Sequence, residues 1–150
     1  MIEYHFPDLA FNAAVMTMAN KVCPTGYDVG DDSPTDLPAL NFEIAHTKRI
    51  KVSRANSDNT IFGCPEHNWA FRAWHDWTHW ILQAPFDLAG ELAVAHRQCA
   101  DLTLVFGDSA RTRKWHRVIM AEVYGQACYF AKKGEFPADQ VAFDLAYLND

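Results

Sequence analysis

The chain has 150 residues, of which 49% are hydrophobic and 21% charged, and its formal net charge at pH 7 is −6. This length suits one domain with its own core, and the composition is that of a globular protein rather than a disordered or fibrous one. The longest concentration of positive charge is a short cluster at Arg111, Arg113 and Lys114. A nucleic-acid partner is therefore not expected.

The cysteines are isolated from one another along the chain, at Cys23, Cys64, Cys99 and Cys128. Because no pair has the Cys-x-x-Cys spacing of a zinc knuckle or a redox site, we interpret them as small buried hydrophobic residues. The amino terminus lacks the pattern of a signal peptide, and no segment has the roughly 18 apolar residues of a membrane span. The sequence therefore predicts a cytoplasmic protein with reduced thiols and no membrane span.

The first half of the chain predicts a helix, a loop and a small hairpin. Apolar residues at helical spacing predict a helix over residues 9–21. Glycines, prolines and paired aspartates indicate a surface loop over residues 23–38, either a plain connector or a lid. Residues 50–53 and 60–62 alternate weakly on either side of a polar turn, which predicts a β-hairpin.

The second half of the chain is predicted to be helical. Helices are expected over residues 66–82, 88–106, 110–133 and 138–148. Pro85 ends the first of them, and Asp87 caps the second. The sequence therefore predicts a mainly α fold, a single-domain helical bundle of about four to five helices with a small β-hairpin near residues 50–62.

Two histidines, His75 and His79, lie four residues apart on the first of these helices. That spacing places both imidazoles on one helix face, where both can reach one cation. Glu91 can complete the set if the next helix folds back. Two histidines and a carboxylate with open positions are the ligands of catalytic zinc and of non-haem iron(II). The alternative is a pair of ordinary half-buried histidines, but it does not explain why Asp76 lies between them in an apolar stretch.

The neighbours of the two histidines suggest supporting roles. Asp76 can ligate the metal, or it can orient a histidine ring and move a proton during catalysis. Trp74, Trp77 and Trp80 are expected to form a dry wall around the site. Residues 1–150 are therefore predicted to form one helical metal-binding domain that holds a single divalent transition metal, zinc or iron(II).

The segment His75-Asp76-x-x-His79, followed by eleven residues and Glu91, resembles the His-Asp-x-x-His-(x)11-Glu motif of the coenzyme Q biosynthesis protein 4 family. The likeness covers residues 72–98. It implies a mostly helical metalloprotein that carries out a step on the ring of a quinone precursor. Residues 121–126 and 136–140 look more like small uncharacterised proteins of phages and prophages, a likeness that keeps the metal site but not the quinone substrate.

Further candidate residues lie on the same predicted helices. Glu122 lies in an apolar stretch where a carboxylate is costly to bury alone, so it is a candidate fourth ligand or general base. Gln126, one turn later, can hold Glu122 or a bound water; the alternative places both residues in solvent. His67, about 12 Å along the helix axis from the first histidine, can touch a substrate more readily than the metal. Arg72 can bind a substrate carboxylate or phosphate, or pair with Asp76.

Three functions are compatible with these residues. The first is a small metalloenzyme that acts on a small molecule through a metal-bound water. The second is a nucleotide phosphohydrolase of the HD type, which would need a distant histidine and a later aspartate; the candidates are His46 and Asp101, Asp139 or Asp144. The third is a non-enzymatic binding protein whose metal joins two helices, although structural zinc sites usually have four protein ligands. The sequence leaves a homo-oligomer open.

Overall fold

The structure, a computed structural model, describes residues 2–150. The elements in chain order are α1 (Leu9–Val22), β1 (Asp28–Gly30), α2 (Leu37–Thr47), β2 (Lys51–Ser53), α3 (Pro65–Leu82), α4 (Leu88–Phe106), α5 (Ala110–Ile119), a π-helical turn (Met120–Gly125), α6 (Gln126–Lys133) and α7 (Gln140–Leu148). The prediction of a mainly helical, single-domain fold is confirmed. Within residues 2–150, none of the helices has the length and apolar run that crossing a bilayer requires.

Local sequence explains where most of the helices begin. Five of them start after a side chain that accepts a hydrogen bond from the backbone N–H group three residues further on. These caps are Asp8, Asp36, Asp87, Ser109 and Asp139. Each cap contributes on the order of 1 kcal/mol because it satisfies an N–H group that the helix leaves unpaired. Short polar residues before apolar runs therefore define these helix starts.

Helix α3 lies at the centre of the fold, in contact with α1, α2, α4 and β2. The main hydrophobic core packs on one side of it and includes Phe11, Phe62, Trp74, Leu102 and Ile119. A smaller cluster, formed around Ile50, Val52 and Ala73, packs the strands against the same helix. Because α3 is held on several sides, its side chains are fixed in position along most of its length.

The predicted β-hairpin is wrong, although one of its strands exists. Strand β2 pairs in parallel with β1, in the register Asp28 with Lys51 and Gly30 with Ser53. Residues 60–62 are not a strand; Ile61 and Phe62 are each 1% exposed and belong to the main core. The apolar run that suggested a second strand is therefore a core-packing segment, and the true partner lies in the predicted loop.

Helix α2 was not predicted from the sequence, so the structure has more helices than the four to five that were expected. Its apolar pattern is weak because only Leu40 is buried along its length. Pro38, which indicated a loop, lies instead in the first turn of the helix, where a missing N–H group is tolerated. A helix with a short buried face at the edge of a fold carries little periodic signal.

The predicted helix over residues 110–133 exists, but a π-helical turn from Met120 to Gly125 divides it. Turns of this kind are rare and often lie at functional sites. The last helix begins at Gln140, two residues later than predicted, because Asp139 is its cap. The π-helical turn contains Glu122 and packs against α4 and α7.

Candidate metal centre

The turn between α3 and α4 brings Glu91 back to the two histidines. Gln83 ends α3 in the left-handed conformation, with φ of 52°, and Asp87 caps the first turn of α4. Gly90 allows the chain to fold this tightly, because a Cβ atom there would overlap the carbonyl oxygen of Pro85. Glu91 is the next residue, so this close approach aims its side chain at α3.

The three predicted ligands meet in a compact group. His75 Nε2 lies 2.8 Å from Glu91 Oε2, and His79 Nε2 lies 3.2 Å from Glu91 Oε1. The two imidazole rings are one helical turn apart, with their centroids separated by 4.6 Å. One ligand atom from each residue lies within 4.8 Å of the others, so this group could hold a metal ion.

Hydrogen bonds at the opposite ring nitrogens determine which nitrogen of each histidine faces the glutamate. His79 Nδ1 lies 2.8 Å from the carbonyl oxygen of Ala84 and must donate its hydrogen, because a carbonyl can only accept. His75 Nδ1 lies 3.0 Å from Asp76 Oδ1, which is also an acceptor when ionised. In their neutral forms both rings therefore direct an Nε2 lone pair towards Glu91. This arrangement is the usual one for histidines that bind metals.

His79 Nε2 is buried and has no hydrogen-bond partner in the part of the chain that the structure describes. Its side chain is fully buried, with an exposure of 0%. The nearby Glu91 oxygen is itself an acceptor, so the two lone pairs face each other unless a proton or a cation lies between them. A buried acceptor with no donor is costly, which makes this nitrogen a good fit for a metal ligand.

Electrostatics couple Glu91 and His75 in the protein alone. Burial lowers the pKa of His75, but the charge of Glu91 and the hydrogen bonds to Asp76 and Glu91 outweigh it and raise that pKa to about 10. Burial raises the pKa of Glu91, but His75 and His79 outweigh it and lower that pKa to about 2. In the metal-free protein at neutral pH, Glu91 is therefore ionised, as a metal ligand must be, and His75 carries a proton that a bound metal would displace.

A cavity of about 840 Å³ lies against the histidine–glutamate group. His75, Asp76 and Glu91 contribute to its wall, whereas His79 lies outside the lining. Most of the remaining wall is apolar, with the large side chains Phe71, Phe86, Leu88, Val123, Phe130 and Phe136. Its size suits a small organic molecule, and the metal-type ligands reach it through His75 and Glu91.

The predicted tryptophan wall is wrong. Trp74 is fully buried in the main core, and Trp77 packs against the smaller cluster beneath the strands. Neither these residues nor Trp80 contribute to the cavity lining in residues 2–150. Their side chains leave α3 on faces other than the one that carries His75, so they stabilise the helix rather than enclose the site. Part of the predicted loop, residues 33–35, does line the cavity, and its role as a lid stays a prediction.

Glu122 and Gln126 both line the cavity. Gln126 Nε2 donates a hydrogen bond to Glu122 Oε2 at 2.8 Å, and Gln126 is 5% exposed, so the alternative that places both residues in solvent is wrong. Glu122 does not belong to the group of mutually close metal-type ligands found in residues 2–150. Its interpretation as a fourth ligand is therefore unsupported, while its role as a base stays a prediction.

Arg72 and His67 differ from their predicted contacts. The Arg72 guanidinium group donates hydrogen bonds of 2.6 Å to the carbonyl oxygens of Ser53 and Ala55, so it holds the loop after β2 against α3. The residue still lines the cavity, but these donors are used internally. His67 Nδ1 lies 2.8 Å from Cys64 Sγ, and the residue lies outside the cavity lining described for residues 2–150. A substrate contact from His67 has no support in this geometry.

Sequence reasoning missed Asp144 as a neighbour of Glu122. Its exposure is 0%, and Oδ1 accepts a hydrogen bond from Gln126 Nε2 at 3.2 Å. The signal that selected Glu122, a carboxylate in an apolar stretch, also exists around Asp144, between Phe143 and Leu145. The aromatic walls of the cavity were missed as well, because no local pattern distinguishes them from core residues.

No match to this chain was found in comparisons with protein-family models, with curated proteins or with solved structures. The resemblance of residues 72–98 to the coenzyme Q biosynthesis protein 4 family stays a prediction, as does the likeness to phage proteins. The geometry of the site is therefore the main basis for assigning a function.

Proposed function

We propose that this protein is a metal-dependent enzyme in which His75 Nε2, His79 Nε2 and the Glu91 carboxylate bind one zinc or iron(II) ion. The observation that carries the proposal is the convergence of both Nε2 atoms on Glu91, with each Nδ1 within hydrogen-bond distance of an oxygen behind it. Such outer hydrogen bonds fix the ring orientation and raise the basicity of the ligand nitrogen. When bound, zinc supplies an acidic water, and iron(II) supplies positions for dioxygen and substrate.

The cavity supports a catalytic rather than a structural role for the metal. A metal that only joined two helices would be expected in a closed set of four protein ligands. Here the group has three members within residues 2–150, and two of them line a cavity large enough for a small-molecule substrate. The non-enzymatic alternative therefore has less support. The resemblance to the His-Asp-x-x-His-(x)11-Glu motif supports the same ligand set and leaves the substrate open.

The other residues of the cavity would assist the reaction. The Asp76 carboxylate accepts a hydrogen bond from His75 Nδ1 and so holds the His75 ring in its orientation as a ligand. Glu122 is a candidate proton-transfer group, with Gln126 fixing one of its oxygens. Arg72 shapes the wall by holding the loop after β2, and its remaining surface faces the cavity. A cytoplasmic location and a homo-oligomer stay predictions.

The HD-type alternative has no observation in its favour. His46 is exposed on α2, with Nδ1 bonded to the carbonyl oxygen of Phe42. Asp101 forms an ion pair with Arg97, and Asp139 caps α7. Asp144 shares the Gln126 amide nitrogen with Glu122 and does not belong to the group of ligands around His75 in the described residues. None of the required extra ligands joins the group in the residues that the structure describes.

Metal analysis tests the proposal directly. Protein purified without chelator is expected to carry about one equivalent of transition metal per chain, the stoichiometry of one site with three protein ligands. X-ray absorption at the zinc and iron edges would identify the metal. The variants His75→Ala and His79→Ala should lose the metal, and Glu91→Gln should bind it more weakly while remaining folded. His96→Ala, which changes an exposed histidine of α4, is the matched control and should retain it. Near-stoichiometric metal in the double histidine variant would reject the assignment.

A further inference from the structure

Two buried carboxyl groups meet beside the cavity, outside the histidine–glutamate group. Glu122 belongs to the π-helical turn, and Asp144 to α7. One amide nitrogen, Gln126 Nε2, donates hydrogen bonds of 2.8 Å to Glu122 Oε2 and 3.2 Å to Asp144 Oδ1. Glu122 and Gln126 line the cavity, whereas Asp144 lies behind them with an exposure of 0%. The pair is therefore open to a cavity ligand only through Glu122.

The closeness of these carboxyl groups favours a bound proton. Because one nitrogen, Gln126 Nε2, donates to an oxygen of each side chain, the two carboxyl groups are close neighbours, and two ionised carboxylates would repel each other and have no hydrogen to donate. Asp144 Oδ2 is buried and has no hydrogen-bonding N–H group in residues 2–150. A proton held between Glu122 and Asp144 would give the buried carboxyl oxygens a hydrogen-bond donor, as happens where two neighbouring carboxyl groups share one proton.

The surrounding charges favour the same protonation state. Burial and the neighbouring Asp144 raise the pKa of Glu122 well above its usual value, and Arg72 and Gln126 oppose that rise only in part. Burial also raises the pKa of Asp144. The other charged or titratable residues that line the cavity with Glu122 are Arg72, His75 and Asp76 of α3, Asp87 at the start of α4 and Glu91 of α4. Of these residues, Arg72 is the cation that lowers the pKa of Glu122, and it offsets the effects of burial and of Asp144 only in part.

We propose that Glu122 and Asp144 share one proton at neutral pH, and that Glu122 presents it to the cavity as the acid of the reaction while Asp144 acts as a positioning residue. The acid role rests on the proposed function, because it needs a substrate in the cavity. In that step the O–H bond of Glu122 breaks, the proton joins a substrate oxygen, and the electron pair stays on the Glu122 carboxylate. Arg72 partly offsets the added charge, and a proton from cavity water restores the acid after the product leaves.

Difference infrared spectroscopy of the purified protein can detect this proton, because the C=O stretch of a protonated carboxyl group is separate from the carboxylate bands. We expect the band at pH 7 in the wild type, with and without bound metal. Glu122→Gln should remove it. In Asp144→Asn the band should disappear at a lower pH than in the wild type, because the neighbouring carboxyl group no longer raises the pKa of Glu122 while burial still does. Glu135→Gln, the same change at an exposed site, should leave the band intact. In D2O the band of the folded protein should shift promptly, because Glu122 faces the cavity.

Each of these spectra can overturn the proposal. A wild-type spectrum without the band would show that both carboxyl groups are ionised. A band that disappears at the same pH in Asp144→Asn and in the wild type would show that Glu122 does not share its proton with Asp144. A band that does not shift in D2O would place the proton out of reach of the cavity. If Glu122→Gln does not fold, the wild type and Asp144→Asn decide the matter. None of these readouts needs bound metal, so their failure is distinct from failure of the metal assignment.

Unfolding free energies measured between pH 5 and pH 8 provide a second readout. A carboxyl group whose pKa is raised by folding stabilises the native state below its unfolded pKa, and this contribution is lost as the pH rises through the folded pKa. The wild type should therefore lose more stability over this range than Glu122→Gln, while Glu135→Gln should follow the wild type. Equal slopes for the wild type and Glu122→Gln would contradict a shared proton.

Discussion

Gly90→Ala provides a sharp test of how the turn between α3 and α4 builds the metal centre. A Cβ atom at this position would overlap the carbonyl oxygen of Pro85 and would lie 2.8 Å from its carbonyl carbon. Carbon atoms pack best about 3.5–4.0 Å apart, so the contact with the carbonyl carbon alone requires a shift of about 0.7 Å. The oxygen is closer still, so the first turn of α4 must move away by more than this. The obstacle is backbone, and no side-chain rotation can relieve it.

The magnitude of the effect follows from two opposing contributions. Alanine in a helix is about 1 kcal/mol more favourable than glycine, which would stabilise the variant. Forcing an extra carbon into a packed site costs about 1–3 kcal/mol, and here the overlap is with backbone, so the upper end applies. We expect the free energy of unfolding to fall by about 1–2 kcal/mol, the upper part of that range less the helix gain.

Metal affinity should fall as well, because Glu91 moves with the turn. Metal–ligand distances tolerate deviations of only about 0.2 Å, which is well below the required shift. Removing a supporting contact of a ligand usually weakens binding by about 10–100-fold, and displacing the ligand itself should weaken it by at least the lower figure. The assay is urea unfolding of the metal-free protein together with competitive zinc titration.

Gly107→Ala is the matched control at the other end of α4. This position has φ of 86° and no atom within 4 Å of the added Cβ among the described residues. Gly107 also has ψ of 164°, an extended positive-φ conformation that is almost exclusive to glycine, so alanine there should lower stability by about 1–3 kcal/mol and leave metal affinity unchanged. If Gly90→Ala kept the stability and zinc affinity of the wild type, the role assigned to this turn would be wrong.

Two further predictions concern the chemistry of the site. Asp76→Asn should weaken metal binding by about 10–100-fold with an unchanged circular dichroism spectrum, because asparagine can donate to His75 Nδ1 and move the ring hydrogen to the ligand nitrogen. Asp58→Asn, at an exposed loop position, is the control. Equal metal affinities of Asp76→Asn and the wild type would remove Asp76 from the site. With manganese, cobalt or magnesium added, the protein should release no phosphate from a panel of nucleotides, because His46 lies outside the ligand group found in residues 2–150. Phosphate release that is abolished by His75→Ala would instead support the HD-type function.

The sequence alone was sufficient for most of the helices and for the histidine pair. Polar caps such as Asp87 and Asp139 precede apolar runs and determine where helices begin. The four-residue spacing of His75 and His79 determines that both rings lie on one face of α3. These features depend on residues within one or two helical turns of each other, so their energetics can be read locally.

Local reasoning failed where a weak pattern had several possible partners. Strand β2 was identified, but its pairing with β1 depends on how both strands pack on Ala73 of α3. Phe62 was assigned to a strand because its segment is apolar, yet it packs with Phe11 and Phe71 in the main core. Hydrophobic content reports that a residue is buried, but it does not report which surface covers it.

The details of the site were decided by tertiary structure. Spacing selected Glu91 as a ligand, but only the turn at Gly90 determines that its two oxygens face the two Nε2 atoms. Likewise, Glu122 and Asp144 each look like an isolated carboxylate in an apolar helix, and the packing of α7 on the π-helical turn brings them together. The physical reason is that protonation states, ring orientations and cavity walls arise from contacts between residues distant in sequence, whereas the chain pattern records only the preferences of near neighbours.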